Sequence, residues 1–259
     1  MASLPEYNSL EEKNPNFYYD RIDSEDKLNS FFYKKDETIS FYRGMKEAKY
    51  KLYSSSQRKW IEKEIVKRFD NYDVFINKII REAKQINNAF IGKILKQFGT
   101  NGNELAILSY LQHYGAPTPL IDFTVNKFKG LFFAIDGAKH TPGNGITNYI
   151  SLYALELTND FTNLRDVLEN AHSQLQLIAT EYPDEVITNL NEVTNKLETY
   201  NQAVSWNNPI YLSDIGIKGS GYNLGINSNI NIVAQEGVFV LNPSTDRPLE
   251  EQFHGITLN

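Results

Sequence analysis

Leu111-Gln112-His113-Tyr114-Gly115-Ala116-Pro117-Thr118-Pro119-Leu120-Ile121-Asp122-Phe123-Thr124 is the stretch whose reading decides the fold. Leu105, Leu108 and Leu111 repeat at helical spacing, which predicts a helix from Glu104 to His113. Gly115 is placed to take the position after the helix end, and Pro117 and Pro119 prevent its continuation. Leu120 to Phe123 then predicts a short strand. Thr124 or Asn126 is a candidate cap for a further helix whose apolar side is Phe128, Leu131, Phe132 and Ile135. A helix, a proline-fixed turn, a strand and a second helix in such short compass give a loop held by rigid elements, where functional groups concentrate. His113 has the chemistry of a general base or hydrogen-bond donor near neutral pH, or is a helix-terminal histidine favoured by the helix dipole. Asp122 and Thr124 are either site residues or caps of the helix beginning near Lys127.

Upstream, Thr38 to Tyr42 is β-branched and aromatic and predicts a strand ending at Gly44. Residues 57–98 predict helix, with a break at Asp70-Asn71. Residues 1–24 are polar and suggest an extended arm, followed by a short helix capped by Asp23 or Ser24 and carrying Leu28, Phe31 and Phe32. Downstream, Ile150 to Leu157 carries apolar groups on both faces, the pattern of a central strand. Two amphipathic stripes, Leu164 to Ile178 and Val186 to Tyr200, predict a helical hairpin. Ile210–Leu212, Ile230–Ala234 and Val238–Leu241 predict strands, with Gly237 marking a bulge. The sum is an α+β fold, a mixed or antiparallel sheet core flanked by helices. It divides into an arm and short helix (1–37), a main domain (38–245) with the helical-hairpin elaboration at about 163–202, and a tail (246–259).

Two further motifs carry polar groups. Phe41-Tyr42-Arg43-Gly44 ends a strand, where an arginine presents a planar fork of donors to phosphate or carboxylate. Alternatively, Arg43 is a surface residue before a turn glycine. Ala234-Gln235-Glu236-Gly237-Val238-Phe239 sets two polar residues inside an apolar run. Strand geometry sends Gln235 and Glu236 to opposite faces, one toward a cleft and one toward solvent, unless the segment is a solvated edge turn. Lys46, Lys49, Lys51, Arg58 and Lys59 form a local basic cluster, either a phosphate contact or a solvated face.

The chain of 259 residues has 41% hydrophobic residues and a net charge of -6, which suits a solubly packed core and disfavours a broad nucleic-acid face. It has no cysteine, so a disulfide scaffold, thiolate metal site or cysteine nucleophile is excluded. No signal peptide or membrane span is evident, and the expected location is cytoplasmic. Phosphate-loop, dinucleotide-fold, zinc-protease and hydrolase-elbow signatures are missing, and four scattered histidines give no metal spacing. Asp122 and Glu236 are the carboxylates a Mg²⁺-dependent nuclease would use, though their spacing does not require it.

The three motifs together resemble the FRG domain family. Phe41-Tyr42-Arg43-Gly44 matches its name-giving motif, and Gln112 to Thr118 with Leu120 to Thr124 resembles its central signature. Leu131-Phe132-Phe133-Ala134 and Ala234-Gln235-Glu236-Gly237-Val238-Phe239 resemble its following helix and late strand. Pro119 stands where the family commonly has Arg, and Phe123 where Trp is usual. More distantly the layout resembles the ADP-ribosyltransferase fold, a fold-level analogy. That likeness implies NAD as substrate, with ADP-ribosyl transfer or NAD glycohydrolysis on a protein or nucleic-acid acceptor, and the FRG resemblance implies a bacterial or phage defence or toxin setting. It implies cofactor contacts from Arg43, Gly44, Tyr42, Tyr114, Asp122 and Thr124, and catalytic roles for Glu236, Gln235 and His113. The competing expectation is a non-catalytic module that binds a nucleotide or a partner.

Overall fold

The protein is represented by a computed structural model, which describes residues 3–34, 40–63, 65–86, 91–97, 103–139, 143, 145–156, 162–163, 173, 199–205, 209–212 and 230–252. Its frame is a six-stranded sheet formed by β1 (Ser40–Met45), β2 (Leu120–Thr124), β3 (Ser151–Glu156), β4 (Thr162–Asn163), β5 (Ile210–Leu212) and β6 (Gly237–Leu241), in the spatial order β3-β1-β2-β6-β5-β4. Neighbours run antiparallel except β4 and β5, which are parallel. The fold is thus α+β, as the sequence predicts.

The registers Tyr42↔Thr124, Asp122↔Phe239 and Leu212↔Phe239 define the two faces, because side chains alternate along each strand. One face presents Leu120, Phe239, Leu241, Ile210 and Leu212 to helices. The helices are α1 (Leu10–Lys13), α2 (Glu25–Tyr33), α3 (Ser55–Glu62), α4 (Tyr72–Ile86), α5 (Ile91–Gln97), α6 (Glu104–His113), α7 (Lys127–Ile135), α8 (Thr199–Ser205) and α9 (Ile230–Gln235). Trp60 of α3, Phe75, Ile76 and Ile80 of α4, Leu105 and Leu108 of α6, Tyr200 of α8 and Ile232 of α9 fill this core. Farther along the same face, α7 lies over β1. A Cβ on Gly44 would stand 2.1 Å from the Gly130 carbonyl oxygen, and one on Gly130 would stand 2.9 Å from Tyr42 Cβ. Two glycines therefore let a helix and a strand meet backbone to backbone.

The opposite face carries Phe41, Ile121, Phe123, Tyr153, Leu155, Val238 and Val240. It is closed by Leu52, Leu249 and Phe17, so segments near both ends of the chain form its cover. The polar arm is consequently not a free extension. Tyr7 is 2% exposed, and Lys13 donates to the Ala48 carbonyl (2.8 Å) and Ser151 Oγ (2.7 Å) while sitting over the Tyr153 ring.

Several predicted elements differ. The helical run at 57–98 is three helices and a 3-10 turn, with Asn71 Oδ1 accepting from Val74 N where the break was placed. Ile230–Ala234 is not a strand but most of α9, and Gly237 opens β6 in ordinary register with Thr124 instead of forming a bulge. The positive φ belongs to Glu236, at 50°. A short apolar run is ambiguous between strand and buried helix, and here Ile232 points into the helical core. The sequence pattern of Ile150–Leu157 predicts a central strand, yet β3 ends the sheet order. Its two apolar faces arise because Leu152 meets α7 while Tyr153 meets Phe17. Thr38 and Ile39 lie outside the described residues, as does most of the expected helical hairpin; Thr162 and Asn163, at its expected start, form β4.

Among the described residues, no helix is long and apolar enough to cross a membrane.

Candidate functional site

The strands β1 and β2 share one register pair, Tyr42↔Thr124, and then part. Arg43 is the next residue of β1, and its side chain spans the gap. Its Nη1 donates to the Asp122 carbonyl at 2.5 Å and lies 3.9 Å from Asp122 Oδ2. The guanidinium thus takes over an interstrand bond that the backbone does not make. The Arg43 side chain is 18% exposed, and Nε is buried with no hydrogen-bond partner. Burial lowers the Arg43 pKa, the Asp122 carboxylate opposes that shift, and the charge of Arg58 adds to it. A buried guanidinium donor without a partner is expensive and uncommon.

Asp122 is half-exposed on the helix-bearing face. Gln112, in the last turn of α6, donates from Nε2 to Asp122 Oδ2 at 2.9 Å and to the Leu120 carbonyl at 3.3 Å. Its Oε1 accepts from Ser55 Oγ at 3.3 Å and from Thr118 Oγ1. The amide is therefore fixed from both ends, and the carboxylate it holds has a defined direction. Ser55 also ties the first turn of α3 to the proline loop, through the Thr118 carbonyl and amide.

His113 follows Gln112 at the end of α6. Its ring lies edge-on to Phe239, 6.1 Å between centroids, and its Nε2 is buried without a partner. Burial lowers the His113 pKa below its ordinary 6.5, and the nearby Asp122 charge opposes the shift. The imidazole is therefore held neutral at pH 7, able to accept a proton. Tyr114 beside it is 68% exposed and packs against Tyr110. Gly115 turns the chain at φ 77°, the left-handed helix stop predicted from the sequence.

Arg43, His113 and Asp122 thus come together, with Gly44 fixing β1 under α7. Tyr42 is buried on the α7 side of β1. Thr124 is buried, and its hydroxyl donates to the Gln235 carbonyl (2.7 Å) and accepts from Asn126 N (3.1 Å). It braces β2 to the end of α9, while Asn126 caps α7 through Phe128 N and Lys129 N. Gln235 is half-buried at the end of α9. Glu236 faces outward, where Lys129 Nζ bonds its Oε1 at 2.7 Å, and that bond lowers its pKa. Among the described contacts, none joins the Gln235 or Glu236 side chain to Arg43, His113 or Asp122. No group of three or more His, Asp or Glu able to hold a metal occurs among the described residues.

Two residues of the basic cluster after the first motif are neutralised. Lys49 pairs with Glu6 and Glu47, each at 3.3 Å, and Lys51 pairs with Glu251 at 3.0 Å. Lys46, Arg58 and Lys59 have no ion pair among the described residues. The bracing roles of Ser55, Thr118 and Gln112 were not read from the sequence. Gln112 stood inside the quoted motif, and only the Asp122 contact distinguishes it from any helix-terminal glutamine.

A separate cavity of about 680 Å³ lies between the N-terminal arm and the α7–β3 region, lined by Phe17, Tyr18, Phe31, Leu131, Tyr149 and Lys13 among others.

The FRG domain family model matches residues 38–142. No curated protein and no solved structure matches the chain. The matched span holds β1, the α6–β2 junction and α7, and so every residue of the Arg43–Asp122–His113 group; the third motif lies beyond it. This chain contains an FRG domain, and the polar group around Arg43 is built wholly within it.

Proposed function

We propose that the FRG domain binds NAD beside Arg43 and cleaves its nicotinamide–ribose bond, transferring ADP-ribose to an acceptor or to water. The observation that carries this reading is two buried, unpartnered nitrogens, Arg43 Nε and His113 Nε2, on two residues that both lie near the half-exposed Asp122 carboxylate. A guanidinium with spare donors suits a phosphate. A carboxylate suits the positive charge that grows on the ribose as the glycosidic bond breaks and its electron pair leaves with the nicotinamide nitrogen. A neutral imidazole suits the proton of the incoming water or acceptor hydroxyl as its oxygen bonds C1′. The products are nicotinamide, a proton and ADP-ribose, free or attached. In this reading Asp122 stabilises the cationic ribose, since Lys129 already neutralises Glu236.

The test is incubation with NAD while nicotinamide release and mass gain on proteins and nucleic acids are followed. Replacing Arg43 by Ala or Asp122 by Asn is expected to reduce release by about 100-fold or more, the scale of losing a preorganised charge contact. Glu236→Gln is expected to retain most of the activity. Release at wild-type rate from both Arg43→Ala and Asp122→Asn overturns the reading. The second reading is a nucleotide-binding module without turnover. It is favoured by the Glu236–Lys129 ion pair, which occupies the carboxylate of the third motif. Stoichiometric NAD binding with no nicotinamide released over hours selects it.

A further inference from the structure

We propose that the cavity between the N-terminal arm and the α7–β3 region binds a small apolar monocarboxylate, its carboxylate on Lys13 and its body against the surrounding apolar walls. The proposal does not depend on the NAD reading, and none of Arg43, His113 and Asp122 lines the cavity.

The apolar walls trace to α2. Leu28, Phe31 and Phe32 form the apolar side of this helix, and all three line the cavity. No residue of α2 is buried. An amphipathic surface helix ordinarily packs its apolar stripe against the core. Here the stripe lies over a space of about 680 Å³, whose other walls include Leu131 of α7 and Leu152 of β3. Small-molecule sites have this size and this make-up, mostly apolar and aromatic with a few polar groups.

Lys13 supplies the polar group. It is 5% exposed. Its ammonium contacts Ala48, Ser151, Phe17 and Tyr153, and all four line the cavity, as Lys13 itself does. The charge therefore stands in the cavity wall. The Ala48 carbonyl and Ser151 Oγ accept from the ammonium, at 2.8 and 2.7 Å. An ammonium has three donors, so one is left over. It has no acceptor, and Lys13 has no ion pair, among the described residues. Glu250 is near enough to raise the Lys13 pKa, but its carboxylate accepts from Tyr7 OH and Leu52 N, and burial pushes it toward the neutral form. A buried cation without a counter-charge is costly. A carboxylate on a ligand supplies that charge and accepts a charge-assisted hydrogen bond from the spare donor. The other charged residues of the lining, Asp20, Arg21, Asp23 and Glu25, are exposed, and Asp23 pairs with Lys27 at 2.9 Å. They stand on the solvent side, so the interior suits a ligand with one anionic end and an apolar remainder.

The probes are decanoate and naphthoate, an aliphatic and an aromatic monocarboxylate, titrated into the full chain by calorimetry beside the uncharged decanol and naphthalenemethanol. At least one acid is expected to bind one-to-one and about tenfold or more tighter than its alcohol, the scale of a hydrogen bond to a charged group. Which acid binds distinguishes an aliphatic from an aromatic ligand. Leu28→Trp fills the cavity from an exposed helix while leaving the Lys13 hydrogen bonds in place, and is expected to weaken that acid by about tenfold or more. Lys13→Met keeps the apolar stem and is expected to abolish the preference for acid over alcohol. Where Lys13→Met fails to fold, the wild-type ratio of acid to alcohol and the Leu28→Trp result decide. The proposal is overturned by absence of binding of both acids, by equal affinity for acid and alcohol, by undiminished binding in Leu28→Trp, or by a preference for acid that survives Lys13→Met.

Discussion

Gly44 leaves no space for a methyl group, since a Cβ there would overlap backbone atoms of Gly130 and Ala134, at 2.1 and 2.4 Å. Backbone cannot swing aside as a flexible side chain can. Gly44→Ala is therefore expected to cost at least the ~1–3 kcal/mol of ordinary overpacking, measured by denaturant unfolding. Gly115 is a useful contrast: a Cβ there meets nothing within 4 Å, but φ is 77°. Gly115→Ala is expected to cost only about 1 kcal/mol, from the left-handed backbone alone. The two glycines look alike in the sequence. One is required in its place by a helix pressed on a strand, the other by the turn that points Tyr114 outward and frees the chain to enter β2. Arg43 shows the same limit of sequence reading: its motif announces a charged fork, whereas its task of bridging parted strands depends on β2, 79 residues away.

At the level of elements, the α6–β2–α7 junction was legible because each boundary carries its own local signal. Gly115 stops α6, the prolines fix the turn and Asn126 caps α7. The strand β1 was legible from its composition. The segment Ile230–Gln235 was not, because six apolar and polar residues fit either period and tertiary packing of Ile232 decides the outcome. The edge strand β3 misled for a related reason: its second apolar face is covered by the arm, which sequence composition marks as polar. That arm is held by α1. Lys13, 5% exposed, satisfies the Ala48 carbonyl and Ser151, and burial brings its pKa down to about 8 while Glu250 opposes the shift. Lys13→Ala leaves those acceptors buried without a donor, and it is expected to lower stability by about 1–3 kcal/mol in thermal or chemical unfolding.

For the whole molecule, the half-buried His113 and the buried Glu250 give opposite pH slopes. His113 has a lowered pKa, so between that value and 6.5 the unfolded chain binds the extra proton and stability rises with pH. Glu250 has a raised pKa from burial, so between 4.5 and that value the folded chain binds the extra proton and stability falls with pH. Equilibrium unfolding from pH 4 to 8 is expected to show the first slope vanish in His113→Gln and the second in Glu250→Gln. Glu250 also joins distant parts of the chain. Its carboxylate accepts from Tyr7 OH and from Leu52 N, and its neighbour Leu249 is fully buried under the sheet. A ribosome must therefore have made Leu249 and Glu250 before Tyr7 and Leu52 find these permanent contacts. Until then the nascent polypeptide carries an uncovered sheet face, and synthesis stalled before Leu249 would leave a product open to chaperones and proteases.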